Sequence, residues 1–455
     1  MSERELLRTT AEHAADFLDT LETRSVDPSE RDVDVLHAAL GGPLPEDGLD
    51  PRAVVESLVE HVDAGLNAMP SGRFFGFVIG GALPAALAAD WLTSTWDQNT
   101  GLYAPTPAAA VVEDVCRGWL LELLGLPAHA SAAFVTGCQM AHVTALAAAR
   151  HHVLAAAGWD VARSGLAGAP RLRVVVGAKR HGTVDLALRL LGIGGDGIEV
   201  VPCDDQGRMR VDVLKLDATP TIVCAQAGEI NTGAFDDLDA LADLCAEHGA
   251  WLHVDGAFGL WAAAALSLRH LLRGHERADS WATDAHKLLN VPYDSGLAFC
   301  AHPESHRAAT SMHADYLLHA EDPRHRDPSD WTPELSRRAR AFPIYAAIRS
   351  LGRKGVADLV ERSCAHARRF ASALEAGGAT ILNEVVLNQV LVRFGDGDYT
   401  REVVERVQRE GTCWPSGTSW EGEYAMRISV CNWRTTDADV DRSVDSILAA
   451  AAVPA

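Results

Sequence analysis

Seven short apolar runs constrain this chain more than any other feature. They span residues 132–135, 173–176, 198–201, 221–225, 251–254, 280–282 and 296–300. Each is too short for a globular helix, and stretches of helical periodicity separate most of them. Strands buried on both faces, with helices between them, make a mostly parallel sheet covered on both sides. The expected fold class is α/β. Before these runs, the first seventy or so residues read as helices joined by the Pro/Gly/Asp-rich connection 41–51, followed by an irregular stretch from Pro70 to Pro107 and a long helix over 108–124. After about residue 341 the texture changes. A long amphipathic helix over 355–376 precedes a strand at 389–394, a helix at 401–410, a strand at 425–430 and a final helix from Asp437. This predicts an N-terminal helical segment (1–72), a large domain (73–340) and a small C-terminal α+β domain (341–455).

Charge and cysteine usage narrow the functional classes. Forty Lys and Arg stand against 62 Asp and Glu, a net charge of −22. So acidic a chain is a poor binder of nucleic acid or of an anionic membrane. No run of about 18 uncharged apolar residues suggests a membrane span. Met1 to Asp19 alternates charged and apolar residues, unlike a signal peptide. The nine cysteines include no C-x-x-C pair, which argues for a reducing, cytoplasmic setting and against a structural zinc site. His151, His152, His302, His306 and His325 lack metal-ligand spacing and read as surface residues; no metal is expected.

Ligands of an open α/β sheet sit at the carboxyl ends of its strands, so the residues just after each run carry the chemical information. Thr136-Gly137-Cys138-Gln139 follows the first run and opens a helix. Free N–H groups at such a helix start can cradle a phosphate, although an ordinary strand-to-helix turn reads the same way. His181 follows the second run, where it can stack on a flat ring or simply face solvent. Asp255 closes the fifth run in His253-Val254-Asp255-Gly256-Ala257, as a buried charge partner or a turn residue. Lys287 follows the sixth in Thr283-Asp284-Ala285-His286-Lys287. Burial disfavours the charged form of a lysine, and the neutral amine is the nucleophile that Schiff-base chemistry needs. A lysine snorkelling to solvent is the alternative.

Taken in order, a phosphate cradle, a ring-stacking His, an Asp and a Lys at successive strand ends describe a pyridoxal 5'-phosphate pocket. The chain resembles the group II pyridoxal-dependent amino acid decarboxylases, the family of the aromatic L-amino acid and glutamate decarboxylases, from about Gly72 to Asp437. The motif that carries the likeness is His253-Val254-Asp255-Gly256-Ala257 with His286-Lys287 following, Lys287 lying 32 residues beyond Asp255 (287 − 255). The resemblance implies a fold type I, aspartate aminotransferase-like architecture. It also implies a cofactor on Lys287, beside His286, with Asp255 at its ring nitrogen and Ala257 and His181 on its two faces. Gly137, Cys138 and Gln139 would meet the phosphate. Asn231 and Thr232, in Asn231-Thr232-Gly233-Ala234-Phe235-Asp236, would line the cofactor, and Phe74-Phe75-Gly76-Phe77 the entrance. His313-Ala314-Asp315-Tyr316-Leu317-Leu318-His319 resembles the family's catalytic loop, whose tyrosine protonates Cα. Trp331 and the triplet Arg337, Arg338, Arg340 further support the likeness.

Several positions depart from the family pattern. The phosphate turn lacks its usual Ser or Thr, and Ser71-Gly72 replaces a His-Pro pair. Glu229 stands where neutral residues are commoner, which would suit a cationic or hydroxyl-bearing substrate if it faces the pocket. Arg427 resembles an arginine that meets carboxylates or stabilises the fold. The resemblance implies a homodimer with shared active sites and an amino acid substrate, with Phe77 hinting at an apolar or aromatic side chain. Decarboxylation is the expected reaction. Aldehyde synthesis, carbon–carbon cleavage, transamination and a non-catalytic cofactor-binding homologue are the rivals.

Overall fold

All seven apolar runs are strands of one sheet in the computed structural model, which describes residues 2–195, 197–312, 314, 317, 319, 322 and 324–453. After the short β1 (Phe74–Phe75), they are β2 (Ser131–Val135), β3 (Arg173–Gly177), β4 (Ile198–Val201), β5 (Thr221–Gln226), β6 (Trp251–Asp255), β7 (Ser280–Asp284) and β8 (Gly296–Cys300). Their order across the sheet is β2-β8-β7-β6-β5-β3-β4, and β8 alone runs against its neighbours β2 and β7. The fold is the expected mostly parallel seven-stranded α/β sheet.

Side-chain alternation explains why the strands read as unbroken apolar runs. Val174 and Val176 of β3, with Ile222 and Cys224 of β5, join a core under the helices Cys138–Ala156 and Gly182–Leu190. Val175 and Val223 point the other way, into the core beneath Pro107–Leu123 and Leu238–His248. Both faces are dry, so neither phase of the alternation can be polar.

The small sheet has order β1-β11-β12-β10-β9, with β9 (Thr380–Ile381), β10 (Gln389–Arg393), β11 (Trp414–Trp420) and β12 (Glu423–Ser429). The sequence reading omitted β11. Its segment Trp-Pro-Ser-Gly-Thr-Ser-Trp contains the residues strands ordinarily exclude. Pro415 is tolerated where β11 meets β1 in a two-residue parallel pairing. Phe74 and Phe75, expected with the large domain, thus pair their backbone with the C-terminal sheet. The long helix begins at Ala341, earlier than expected, and breaks at Gly352 (φ 60°, ψ 178°) before continuing to Ala376. Among the described residues no helix is long and apolar enough to cross a membrane.

Candidate active site

Parallel strands bring their carboxyl ends to one edge. Because β8 is antiparallel to both β2 and β7, β2 also ends there. Gly137, His181, Asp255 and Lys287 therefore converge from β2, β3, β6 and β7. Two glycines permit the crowding. A Cβ on Gly296 would lie 2.4 Å from the Gly137 backbone, and one on Gly80 would lie 2.1 Å from the Lys287 carbonyl oxygen. The second contact lays the segment after Phe77 across the Lys287 turn, where the Gly80 N–H donates to the His286 carbonyl at 3.2 Å.

Lys287 is paired. Its Nζ lies 3.1 Å from Asp284 Oδ2 and 5.9 Å from the Phe258 ring centroid. Burial works to lower its pKa, but Asp284, with Cys138 and Asp255 behind it, outweighs burial and holds the ammonium above the ordinary lysine value. This corrects the expectation of a depressed lysine. The apolar surroundings of Lys287 argue for depression, and the carboxylate three residues earlier reverses it. Asp284 closes β7 as Asp255 closes β6, so the strand-end rule could have found it. Its Oδ1 accepts the Cys138 N–H at 2.6 Å and lies 3.5 Å from His286 Nε2. His286 Nδ1 accepts the Ser295 N–H at 3.2 Å, which leaves the proton on Nε2, facing Asp284. The His286 ring lies 4.3 Å from that of Tyr293, a neighbour absent from the sequence reading.

Asp255 is buried and accepts the Ala257 N–H at 3.2 Å. Burial opposes its charge, but His142, His181 and Lys287 prevail and keep the carboxyl below the usual range. His181 caps the helix Gly182–Leu190 through the Thr183 N–H and is solvent-exposed, within electrostatic reach of Asp255, Lys287 and Arg427. The helix Cys138–Ala156 has no side-chain cap at its start, and Gln139 Nε2 is buried there without a partner.

Glu229 faces its own loop. It accepts from the Asn231 N–H at 2.7 Å, Asn231 Nδ2 at 2.9 Å, the Thr232 N–H at 2.8 Å and the Thr232 hydroxyl at 3.2 Å. A carboxylate so committed shapes the Asn231–Thr232 turn, unlike the substrate-facing role expected of it. Arg427 is buried beside it and donates to the Ile230 carbonyl at 3.3 Å. Phe77 is half exposed and stacks on Trp414 at 5.9 Å. Tyr316 lies outside the described residues. Of the histidines read as surface residues, His306 is fully buried, bonded to Ser131 Oγ at 2.7 Å and to the Trp331 carbonyl at 2.9 Å. Partners distant in sequence put it there, which spacing alone could not reveal.

Residues 38–394 match the pyridoxal-dependent decarboxylase conserved domain. The chain belongs to this family. It is 28% identical to an aromatic-L-amino-acid decarboxylase of Bacillus atrophaeus over 425 residues, covering 89% of this chain and 86% of that protein. It is 31% identical to an acidic amino acid decarboxylase of Bos taurus over 312 residues, covering 65% of this chain and 58% of that one. The crystal structure of Oryza sativa TDC with PLP and tryptamine shares the fold, with a TM-score of 0.91 at 22% identity, covering 98% and 97% of the two chains. The described residues fit the family's cofactor. A helix start without an N-cap side chain, where Asp284 holds the Cys138 N–H and the Gln139 amide is orphaned, offers donors to a phosphate, Lys287 supplies an amine for the aldehyde, and Asp255 offers a buried carboxylate to a ring nitrogen.

Proposed function

We propose that this member of the family is an L-amino acid decarboxylase that releases carbon dioxide and an amine, with an apolar or aromatic substrate side chain. The observation that carries the reading is the convergence of Lys287, Asp255, His181 and the uncapped helix start on one edge of the sheet. Pyridoxal phosphate, when bound, supplies an electron sink for the pair released at Cα. The protein's share is positioning and proton control. Lys287 would hold the aldehyde, Asp255 would hold the ring nitrogen, and His181 and Ala257 would take the two faces of the ring. The Gln139 amide, with the first-turn N–H groups other than that of Cys138, would hold the phosphate, and Asn231 and Thr232 would line the cofactor. His286 moves protons beside Lys287, and Tyr316 returns one to Cα.

The substrate class rests on two observations. Phe77 presents an exposed aromatic face on the segment that crosses the Lys287 turn. Arg427, the candidate carboxylate partner, is balanced by Glu229 and gives one donor to the Ile230 carbonyl, with its buried Nε left without a partner. A homodimer is proposed on the resemblance and on the N-terminal helices Glu3–Thr20, Val33–Leu40 and Pro51–Val62. They bury no residue fully and expose Leu7, Val33, Leu40, Val54 and Leu58.

The test is incubation of cofactor-loaded protein with each of the twenty L-amino acids, measuring carbon dioxide, amine, aldehyde and hydrogen peroxide. Equal carbon dioxide and amine from an apolar or aromatic substrate are expected. Aldehyde with peroxide would move the chain to aldehyde synthesis. Turnover that survives Lys287→Ala would refute the scheme.

A further inference from the structure

Behind Asp255 lies a line of polar groups that the proposed reaction does not use. Asp255 Oδ2 is 3.5 Å from His142 Nε2, and His142 Nδ1 is 2.9 Å from His253 Nε2. His253 Nδ1 is 2.9 Å from Ser280 Oγ, which also accepts the Trp251 indole N–H at 2.8 Å. The side chains come from three elements. Cys138 and His142 share a helix face at i, i+4, His253 lies two residues before Asp255 on β6, and Ser280 opens β7. None of the five is more than 6% exposed.

With His142 neutral, the direction of the hydrogen bonds follows from the Asp255 end. An ionised Asp255 can only accept, so His142 meets it with a proton on Nε2, and the Cys138 thiol, 3.5 Å from that nitrogen, turns its own proton to Asp255 Oδ1 at 3.9 Å. With a neutral ring, Nδ1 is then a lone pair, and His253 must donate from Nε2. That leaves His253 Nδ1 as an acceptor, which Ser280 satisfies with its hydroxyl proton. Ser280 in turn takes the indole proton of Trp251, a group that can only donate. No lone pair faces another, and no extra proton is required. Burial supports the neutral state of the central ring, pushing His253 down to about 3.

We propose that Trp251, Ser280, His253 and His142 form a one-way hydrogen-bond chain that holds Asp255 ionised and oriented toward the cofactor's ring nitrogen, with His142 and His253 as positioning residues. The inference rests on the reading of Asp255 as the partner of that nitrogen. Trp251 at the outer end can only donate, so it takes one lone pair of Ser280 and leaves the Ser280 hydroxyl proton for His253 Nδ1. The other titratable groups around Asp255 are Cys138 of the helix, His181 after β3, Cys224 of β5, Asp236, and Asp284 and Lys287 at the end of β7. All are kept in the variants below, so they do not confound the comparison.

The test loads the enzyme with pyridoxal phosphate labelled with nitrogen-15 in the ring and follows that resonance against pH. Wild type is compared with His142→Phe, His142→Gln, His253→Phe, Ser280→Ala and Asp255→Asn. Losing one hydrogen bond to the carboxylate makes it compete better for the shared proton, so the protonated fraction of the ring nitrogen at neutral pH should fall in His142→Phe, the proton-transfer equilibrium shifting by about tenfold. His253→Phe and Ser280→Ala should move it the same way by less, and His142→Gln, which restores a donor, should recover most of the loss. A resonance that titrates as in wild type in His142→Phe and Ser280→Ala, while Asp255→Asn shifts it, would overturn the chain and leave the Asp255 reading intact. An unmoved resonance in Asp255→Asn would overturn both. Ser280→Ala removes a single oxygen, so it decides the question even where the ring replacements fail to fold.

Discussion

Replacing Gly296 by alanine perturbs the Gly137 turn, which we propose cradles the phosphate. The new Cβ would lie 2.4 Å from both Cα and C of Gly137, and 2.7 Å from its nitrogen. Carbon atoms rest at about 3.5–4.0 Å, so the two backbones must part by about 1 Å. Neither can yield by rotating a side chain, because the opposing atoms are all main chain. The strands cannot slip in register either, since Val135 opposite Gly296 is buried in a paired ladder. The displacement therefore falls on the Gly137 turn. It pulls the Cys138 N–H away from Asp284 Oδ1, now at 2.6 Å, and moves the first turn of the helix off the phosphate. Overpacking of this kind costs about 1–3 kcal/mol of stability. A displacement of about 1 Å in a positioning element can cost about a hundredfold in function. The assay is titration of apoenzyme with pyridoxal phosphate by absorbance, beside a thermal melt. Gly118→Ala serves as control, because a Cβ there meets nothing within 4 Å. Gly296→Ala should lower cofactor affinity by far more than its loss of stability explains. Wild-type affinity in a folded Gly296→Ala protein would show that the turn does not hold the phosphate.

Two further outcomes follow from Asp284 and His306. Asp284→Asn removes the carboxylate that raises the Lys287 pKa, so apoenzyme should capture pyridoxal phosphate faster at neutral pH in stopped-flow absorbance, with the pH dependence displaced to lower values; a rate profile superposing on wild type would count against the pair. His306 has its pKa pushed down by burial to about 4, from an ordinary 6.5, so the unfolded chain binds its proton first. Its contribution is whole above pH 6.5 and is lost as pH falls toward 4, about 3 kcal/mol in all. Urea unfolding should lose less stability across that window in His306→Gln than in wild type, and equal losses would contradict the assignment.

What the sequence revealed, and what it hid, divides along physical lines. A strand sealed on both faces must be apolar, so the inner strands of the large sheet announced themselves, while the edge strand β4, with Glu199 and Val200 exposed, was read from its remaining β-branched residues. β11 did not, because its Pro415 and Gly417 are allowed only by its particular neighbours: the two-residue contact with β1 on one side and the Tyr424 ring over Gly417 on the other. Propensity describes a residue against an average environment, and β11 does not sit in one. In the long helix, the expected part, 355–376, lies just past the break at Gly352, and the turns from Ala341 up to that break were missed.

In the site, the sequence showed which residues reach the edge of the sheet but not what each one meets there. Asp255, His181 and Lys287 were legible because connectivity alone sends strand ends to the ligand edge. Protonation was not legible, because it depends on the nearest charge rather than on the local run of residues. The flanking apolar residues of Lys287 argue for a depressed amine, while Asp284, on the same strand end, reverses the sign. Glu229 shows the converse: an acidic residue in an unusual place suggests a ligand, yet four donors from Asn231 and Thr232 occupy it. His142 was hidden most deeply. Its spacing from Cys138 places both on one helix face, but only the packing of that helix on β6 decides that the face looks at Asp255. Asp284 tunes Lys287 from the end of one strand, whereas His142 reaches Asp255 only through a contact between elements.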